Sequence, residues 1–219
     1  MPRMSLIKRI FAAIFMVSVL SFAVTACGSD DSSDSSTPPE PVAQIDPVTG
    51  IDTQVALDAG FVDALTALKV TPAPVGDATI SDEGVAAFPI TGGDVTYYDP
   101  QDDYRPFVQG VLMHDGSGLS LTAGNTKVEL TDFVIDPGTS ELTGTVSVNG
   151  DVAAENALLF NLDGSTLKPL ISNPDGSATL EGTTVKLSDD AAGLLNDTFK
   201  IKDLKGGLVI GISSITVEG

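Results

Sequence analysis

From residue 78 to residue 187 the apolar side chains recur at every second position, in short runs separated by turn-forming residues. A β-strand sends successive side chains to opposite faces, so this period calls for strands with one buried face. Val85, Val111 and Met113 lie in short apolar runs, and Leu119 and Leu121 alternate with Ser120 and Thr122. Val128, Leu130 and Phe133 follow, then Leu142, Val146 and Val148, then the runs at 157–162 and 179–187. Gly92-Gly93, Asp115-Gly116, Ala123-Gly124-Asn125, Asp136-Pro137-Gly138, Asn149-Gly150 and Pro174-Asp175-Gly176 supply the turn chemistry between them. Short strands cut by such turns predict a mainly β fold, an antiparallel β-sandwich or open barrel.

Two short helices are expected beside the strands. Over residues 55–70, Leu57, Phe61, Leu65 and Leu68 fall on one helical face, and Val62 widens the stripe. Gly60 weakens that helix by about 1 kcal/mol against alanine. Thr71-Pro72-Ala73-Pro74 reads as its terminator, because proline lacks a donor and restricts the residue before it. A second helix is expected over 189–199, with Ser188 as N-cap and Asp189 and Asp190 at the positive end of its dipole. Residues 207–217 read as a last buried strand, and Gly211 within it signals a bulge or a close approach.

The N-terminal 26 residues have a different character. Arg3, Lys8 and Arg9 precede a charge-free apolar run over residues 10–24, too short for a membrane span of about 20 residues. It ends in Val24-Thr25-Ala26-Cys27. That pattern resembles the lipobox of bacterial lipoproteins. The resemblance implies cleavage before Cys27, acylation of its sulfur with palmitate-like chains, and a protein anchored by lipid to the extracytoplasmic face of the cell membrane. Two or more chains hold stably where one does not. Residues 27–50, rich in Ser, Asp and Pro near their start, are expected to be a disordered tether. Residues 51–219 are expected to form one extracytoplasmic domain, as a monomer.

Composition removes whole classes of chemistry. Cys27 is the only cysteine, so a domain beyond it has no disulfide, thiol nucleophile or thiolate metal site. Without the three basic residues of the export signal, eight basic residues face thirty acidic ones, a net charge of −22. Such a surface repels nucleic acid and favours solubility. There is one histidine, His114, and no G-x-S-x-G elbow. Ser165-Thr166-Leu167-Lys168 imitates a penicillin-recognising S-x-x-K, but the segments that would complete that site crowd into about 40 residues with no helical domain between them. Asp99, Gln101, Asp102 and Asp103 form an oxygen-rich loop that lacks the EF-hand's glutamate at position twelve. These observations predict a protein that is not an enzyme and holds no metal.

One further resemblance bears on function. The run from Val108 to Val148, with His114-Asp115-Gly116-Ser117-Gly118-Leu119 after a strand and a long strand pair following, resembles the HtaA-type haem-binding domain of actinobacterial surface proteins. The helix bearing Gly60-Phe61 resembles that family's Ser-Phe-bearing helix. The resemblance implies a related β-rich fold and a tyrosine iron ligand on the first helix, supported by a histidine. His114 matches the supporting position, but Ala64 stands where the ligand would be. Tyr97, Tyr98 and Tyr104 are the remaining tyrosine candidates. Two functions are therefore expected. One is a non-catalytic envelope lipoprotein acting through surface interactions with an envelope partner, with no cofactor. The alternative is a small-ligand carrier, with haem as the specific candidate. A solid core favours the first, and an apolar pocket of several hundred cubic ångströms with His114 at its mouth favours the second.

Overall fold

The computed structural model describes residues 38–219. The export signal and Cys27 lie outside the described residues. In chain order the elements are β1 (Ala43–Ile45), β2 (Gly50–Leu57), α1 (Ala59–Leu68), β3 (Thr71–Gly76), β4 (Thr79–Ile80), β5 (Val85–Pro89), β6 (Gly92–Tyr97) and β7 (Val108–Ala123). Then come β8 (Thr126–Asp136), β9 (Glu141–Val148), β10 (Asp151–Asp163), β11 (Ile171–Ser172), β12 (Ala178–Leu187), α2 (Asp189–Phe199) and β13 (Val209–Glu218). The strands form one antiparallel sheet in the order β1-β6-β7-β8-β9-β10-β12-β13-β2-β5-β4, with β3 beside β7 and β11 beside β12. The sheet curls into a half-barrel. This is the expected mainly β, antiparallel class with two short helices, and of the two forms expected, sandwich or open barrel, the curled sheet is the open-barrel one.

One bent stretch draws the two flanks of the sheet together. β5 pairs with β2, while β6, two residues further on, pairs with β7. The linking residues keep bonds to both flanks: the Ile90 N–H donates to the Ile51 carbonyl at 3.0 Å and the Thr91 N–H to the Met113 carbonyl at 2.8 Å. Gly92-Gly93, expected as a turn, therefore opens a strand.

Asp115-Gly116 is likewise no turn. β7 runs through it as one 16-residue strand, and the register with β8 shifts between His114 and Gly118. Gly116, with φ +72°, takes the irregular backbone of the bulge, and the Asp132 carboxylate accepts its N–H at 2.9 Å. The bulge re-aims the strand, so Leu112 and His114 on one side of it and Ser117, Leu119 and Leu121 on the other are all buried.

The N-terminal boundary and the first helix differ from expectation. Residues 43–45 pair with β6, so the folded body begins before residue 51. The apolar stripe over 55–70 joins two elements: Leu57 belongs to β2, and the helix starts at Ala59 after Asp58, which accepts the N–H groups of Gly60 and Phe61 at 2.8 and 3.3 Å. Phe61 and Leu65 are buried, while Val62 faces outward. Thr71–Gly76 is more than a terminator, because it adds a strand to the edge of β7. Prolines at 72 and 74 suit an edge, since alternate N–H groups there point away from the only partner. α2 follows expectation, with the Ser188 hydroxyl accepting the Ala191 N–H at 2.9 Å. Gly211 marks a close approach, because a Cβ there would collide with the Ala56 carbonyl oxygen on β2.

Candidate ligand cavity and the buried histidine

The interior of the half-barrel has a packed end and an open end. At the packed end α1 and α2 bury Phe61, Leu65, Ala191, Ala192 and Leu195 in the same core as the strands. Phe133 sits midway and takes Phe88 and Phe160 edge-on, at centroid distances of 5.2 and 6.5 Å. Beyond this aromatic layer lies a cavity of about 540 Å³. Val55, Val95, Leu112, Ile135, Leu142 and Ile215 are among its walls, contributed by strands from both flanks of the sheet. Arg105, Pro106, Gly138, Ser140 and Gly164 are its solvent-exposed members and mark its mouth.

His114 is at the other end, with 1% of its surface exposed. It lines a small void of about 40 Å³ among the phenylalanines, which shares Thr53, Val55 and Ile135 with the cavity. Its Nδ1 lies 3.1 Å from the Phe133 carbonyl oxygen and its Nε2 2.8 Å from the Thr53 hydroxyl. A carbonyl only accepts, so Nδ1 carries the proton. In the neutral ring Nε2 then accepts from Thr53. Burial pushes the imidazole below its ordinary pKa, against the Phe133 hydrogen bond and the negative charge of Asp115, which both favour the cation. His114 is therefore a neutral, doubly engaged group beneath the cavity floor. It is not at a hairpin end, and it is not at the cavity mouth.

The tyrosines stand apart from it. Tyr97 lines the cavity from β6 opposite Val108, six positions along β7 from His114, or about 20 Å at 3.3 Å per residue. Burial raises its phenol above the ordinary value, a main-chain hydrogen bond from Leu170 offsets part of this, and the charge of Asp99 adds to the rise. Tyr98 and Tyr104 pack edge-on against each other, 4.7 Å between centroids, on the loop beyond β6. The structure thus groups the three tyrosines near the mouth and leaves His114 alone at the floor.

Haem, implied by the sequence resemblance, does not fit this donor set. Both nitrogens of His114 are engaged, and the hydroxyl it supports belongs to Thr53, an aliphatic alcohol too weakly acidic to serve as a tyrosinate would. The environment of Tyr97 favours the neutral phenol over the tyrosinate that iron requires. Ala64 has no donor atom, and it borders a surface groove between α1 and residues 203–208 rather than the cavity. Among the described residues no group of three or more His, Cys, Asp or Glu side chains is placed to hold a metal.

Arg105 stands at the cavity mouth, and the sequence reading did not single it out. Its guanidinium donates to the carbonyls of Asp102 and Tyr104 at 2.6 and 2.8 Å and to that of Pro100 at 2.9 Å. It also stacks over the Phe107 ring, 5.4 Å from the centroid. The apolar cavity wall was equally hidden, because Val55 or Ile135 reads in the sequence like any core residue.

No family model matches the chain, and comparison with curated proteins finds no match. In fold the chain is similar to the C-terminal domain of HtaA from Corynebacterium glutamicum, at a TM-score of 0.53 and 14% identity, covering 78% of this chain and 97% of that domain. The likeness read from Val108–Val148 therefore extends, as a likeness of fold, to most of the described body.

Proposed function

We propose that the chain is a non-catalytic carrier lipoprotein, anchored at the cell surface through Cys27, that holds an apolar small molecule inside its half-barrel. One observation carries this reading: the cavity of about 540 Å³ walled by aliphatic side chains. Its size falls in the range of small-molecule sites. A fold needed only for surface contacts gains nothing from such a void, because each unfilled volume loses dispersion contacts and weakens the core. The surface location rests on the lipobox-like Val24-Thr25-Ala26-Cys27.

The test is native mass spectrometry of the whole protein after gentle extraction, with uptake of the neutral fluorophore N-phenyl-1-naphthylamine as a second measurement. A co-purifying apolar mass that is released on unfolding supports the carrier. Protein of bare mass that also takes up no fluorophore overturns it, and returns the choice to a purely surface-interacting lipoprotein.

A further inference from the structure

We infer that the occupant is a single extended acyl chain with an anionic, hydrogen-bond-accepting head, its methyl end at the aromatic floor and its head at Arg105. This deepens the carrier reading and rests on it.

Shape is the first argument. On β12 the cavity is lined from Ala178 to Val185, seven steps of about 3.3 Å, so it runs roughly 20 Å along the strand. The volume of about 540 Å³ spread over that length leaves a mean cross-section of roughly 27 Å², on the order of the width of one chain. A channel of that kind accepts a chain more readily than a flat polycycle. Its volume of about 540 Å³ holds roughly 18 methylene-sized groups at about 30 Å³ each, the share of a water in the liquid. That is one chain, and it leaves no room for the second chain of a diacyl lipid.

Chemistry is the second argument. Two of the wall hydroxyls are already engaged, Thr53 with His114 and Ser213 with the Thr183 carbonyl at 3.3 Å; Tyr97, Ser140 and Thr183 carry the others, and Ser140 stands at the exposed mouth. Among the described residues no buried side-chain nitrogen or oxygen lacks a partner. The interior is mostly aliphatic and offers few groups to recognise a polar ligand, so a sugar or nucleotide placed there would lose most of its hydrogen bonds to water without replacement.

The mouth supplies the polarity. Three of the five guanidinium N–H groups of Arg105 are held by loop carbonyls, which among the described residues leaves two free to donate. Among the described residues no carboxylate lies within ion-pairing distance of it. The carbonyl bonds therefore fix the group at the rim without cancelling its charge. Asp99, Asp102 and Asp103 share the loop, so the surrounding field is negative. An anionic head is bound here by direct contact with the guanidinium, not by long-range attraction. Arginine offers donors only, which selects a carboxylate or phosphate over an amine.

The experiment uses the full mature chain with Cys27→Ser, so that no acyl anchor or detergent competes. Displacement of N-phenyl-1-naphthylamine is followed with graded straight-chain fatty acids and with 1-alkanols of matching length. Affinity is expected to rise about three- to fourfold per methylene and to level off near a chain of roughly 18 carbons. Val185→Phe, at the deep end, should move the plateau to shorter chains, with Ile215→Phe as the second variant should the first not fold. Arg105→Gln should lower affinity for the acids by about tenfold and leave the alkanols unchanged. Fluorophore binding with no dependence on chain length overturns the acyl assignment and leaves the carrier reading intact. Haemin or a diacyl phospholipid outcompeting every single-chain acid has the same effect. An equal loss of acid and alkanol in Arg105→Gln removes the role of the head group. Failure to bind the fluorophore at all, in protein of bare mass, removes the carrier reading itself.

Discussion

The Nε2 atom of His114 on β7 lies 2.8 Å from the hydroxyl of Thr53 on β2, a bond between two strands on opposite flanks of the curled sheet. Because Nδ1 is held to the Phe133 carbonyl, Nε2 carries the lone pair and Thr53 is its donor. Thr53→Val removes that donor, keeps the volume and leaves a buried acceptor unpaired, so it should destabilise the protein by about 2 kcal/mol. Replacing both partners with apolar residues, Thr53→Val with His114→Leu, should cost less than the sum of the two single changes. Urea unfolding of the four proteins measures the coupling, and strict additivity would show that the contact carries no energy of its own.

The same histidine sets a pH dependence. Its folded-state pKa is lowered by burial, so below the ordinary value of about 6.5 the unfolded chain binds a proton that the folded protein refuses. Stability should be level above that pH and fall as pH drops from about 6.5 towards the folded-state value, with a slope of up to about 1.4 kcal/mol per pH unit. Asp163 is held well below the usual carboxylate range, chiefly by Lys186 at 2.6 Å. Its contribution is present at neutral pH and is lost only as pH falls below the ordinary carboxylate value, a separate and more acidic window. His114 is the only histidine in the chain, so His114→Leu should abolish the upper slope and leave the lower one. Denaturation midpoints across pH 5 to 7 (roughly the histidine window) decide this, and an unchanged slope in His114→Leu would contradict it.

The two helices should differ in their dependence on their caps. Ser188 accepts the Ala191 N–H and also donates to the Leu158 carbonyl at 2.7 Å, which ties α2 to β10. Ser188→Ala loses both bonds inside the protein and should cost about 2 kcal/mol. Asp58→Ala loses a cap that water can partly replace, since the Asp58 side chain is exposed, and should cost about 1 kcal/mol. Equal effects in thermal or urea unfolding would show that the bond to Leu158 contributes nothing.

Strands and the second helix were legible because local chemistry and tertiary packing agree there. Ser188 followed by Asp189 and Asp190 specifies a helix start whatever surrounds it. Asn149-Gly150, with both residues at positive φ, specifies the β9–β10 hairpin. The step of three from Leu130 to Phe133 broke the period of two, and the structure explains it: the β8–β9 register shifts between Thr131 and Val134, and Asp132 sits at φ 54°. Asp115-Gly116 misled because a bulge and a turn ask for the same residues. Pro72 and Pro74 misled because a helix breaker is also an acceptable edge-strand residue. The cavity was not legible at all. Leu142 on its wall and Leu130 in the packed core have the same pattern in sequence, and only the curl of the sheet determines which of them faces empty space.

The aromatic floor couples stability to the depth of the cavity, and this can be measured at Phe133. Its ring lies between Phe88 and Phe160 and separates the ligand cavity from the core beneath the helices. The void of about 40 Å³ beside it already borders Val55, Ile135 and Leu142, which also line the cavity. Phe133→Ala should therefore join the two spaces, not leave an isolated hole. The lost burial and edge contacts should cost about 3–5 kcal/mol, a large share of the roughly 5–15 kcal/mol that holds a domain folded. Phe133→Leu keeps most of the volume and should cost about half as much or less. The deepened cavity of the alanine variant should shift the best-bound chain to greater length, opposite to the shift expected of Val185→Phe. Denaturant unfolding gives the first effect and chain-length titration of the variant that remains folded gives the second. A loss of stability with no change in preferred length would mean that the floor of the ligand site lies above Phe133, at Leu142 and Val185.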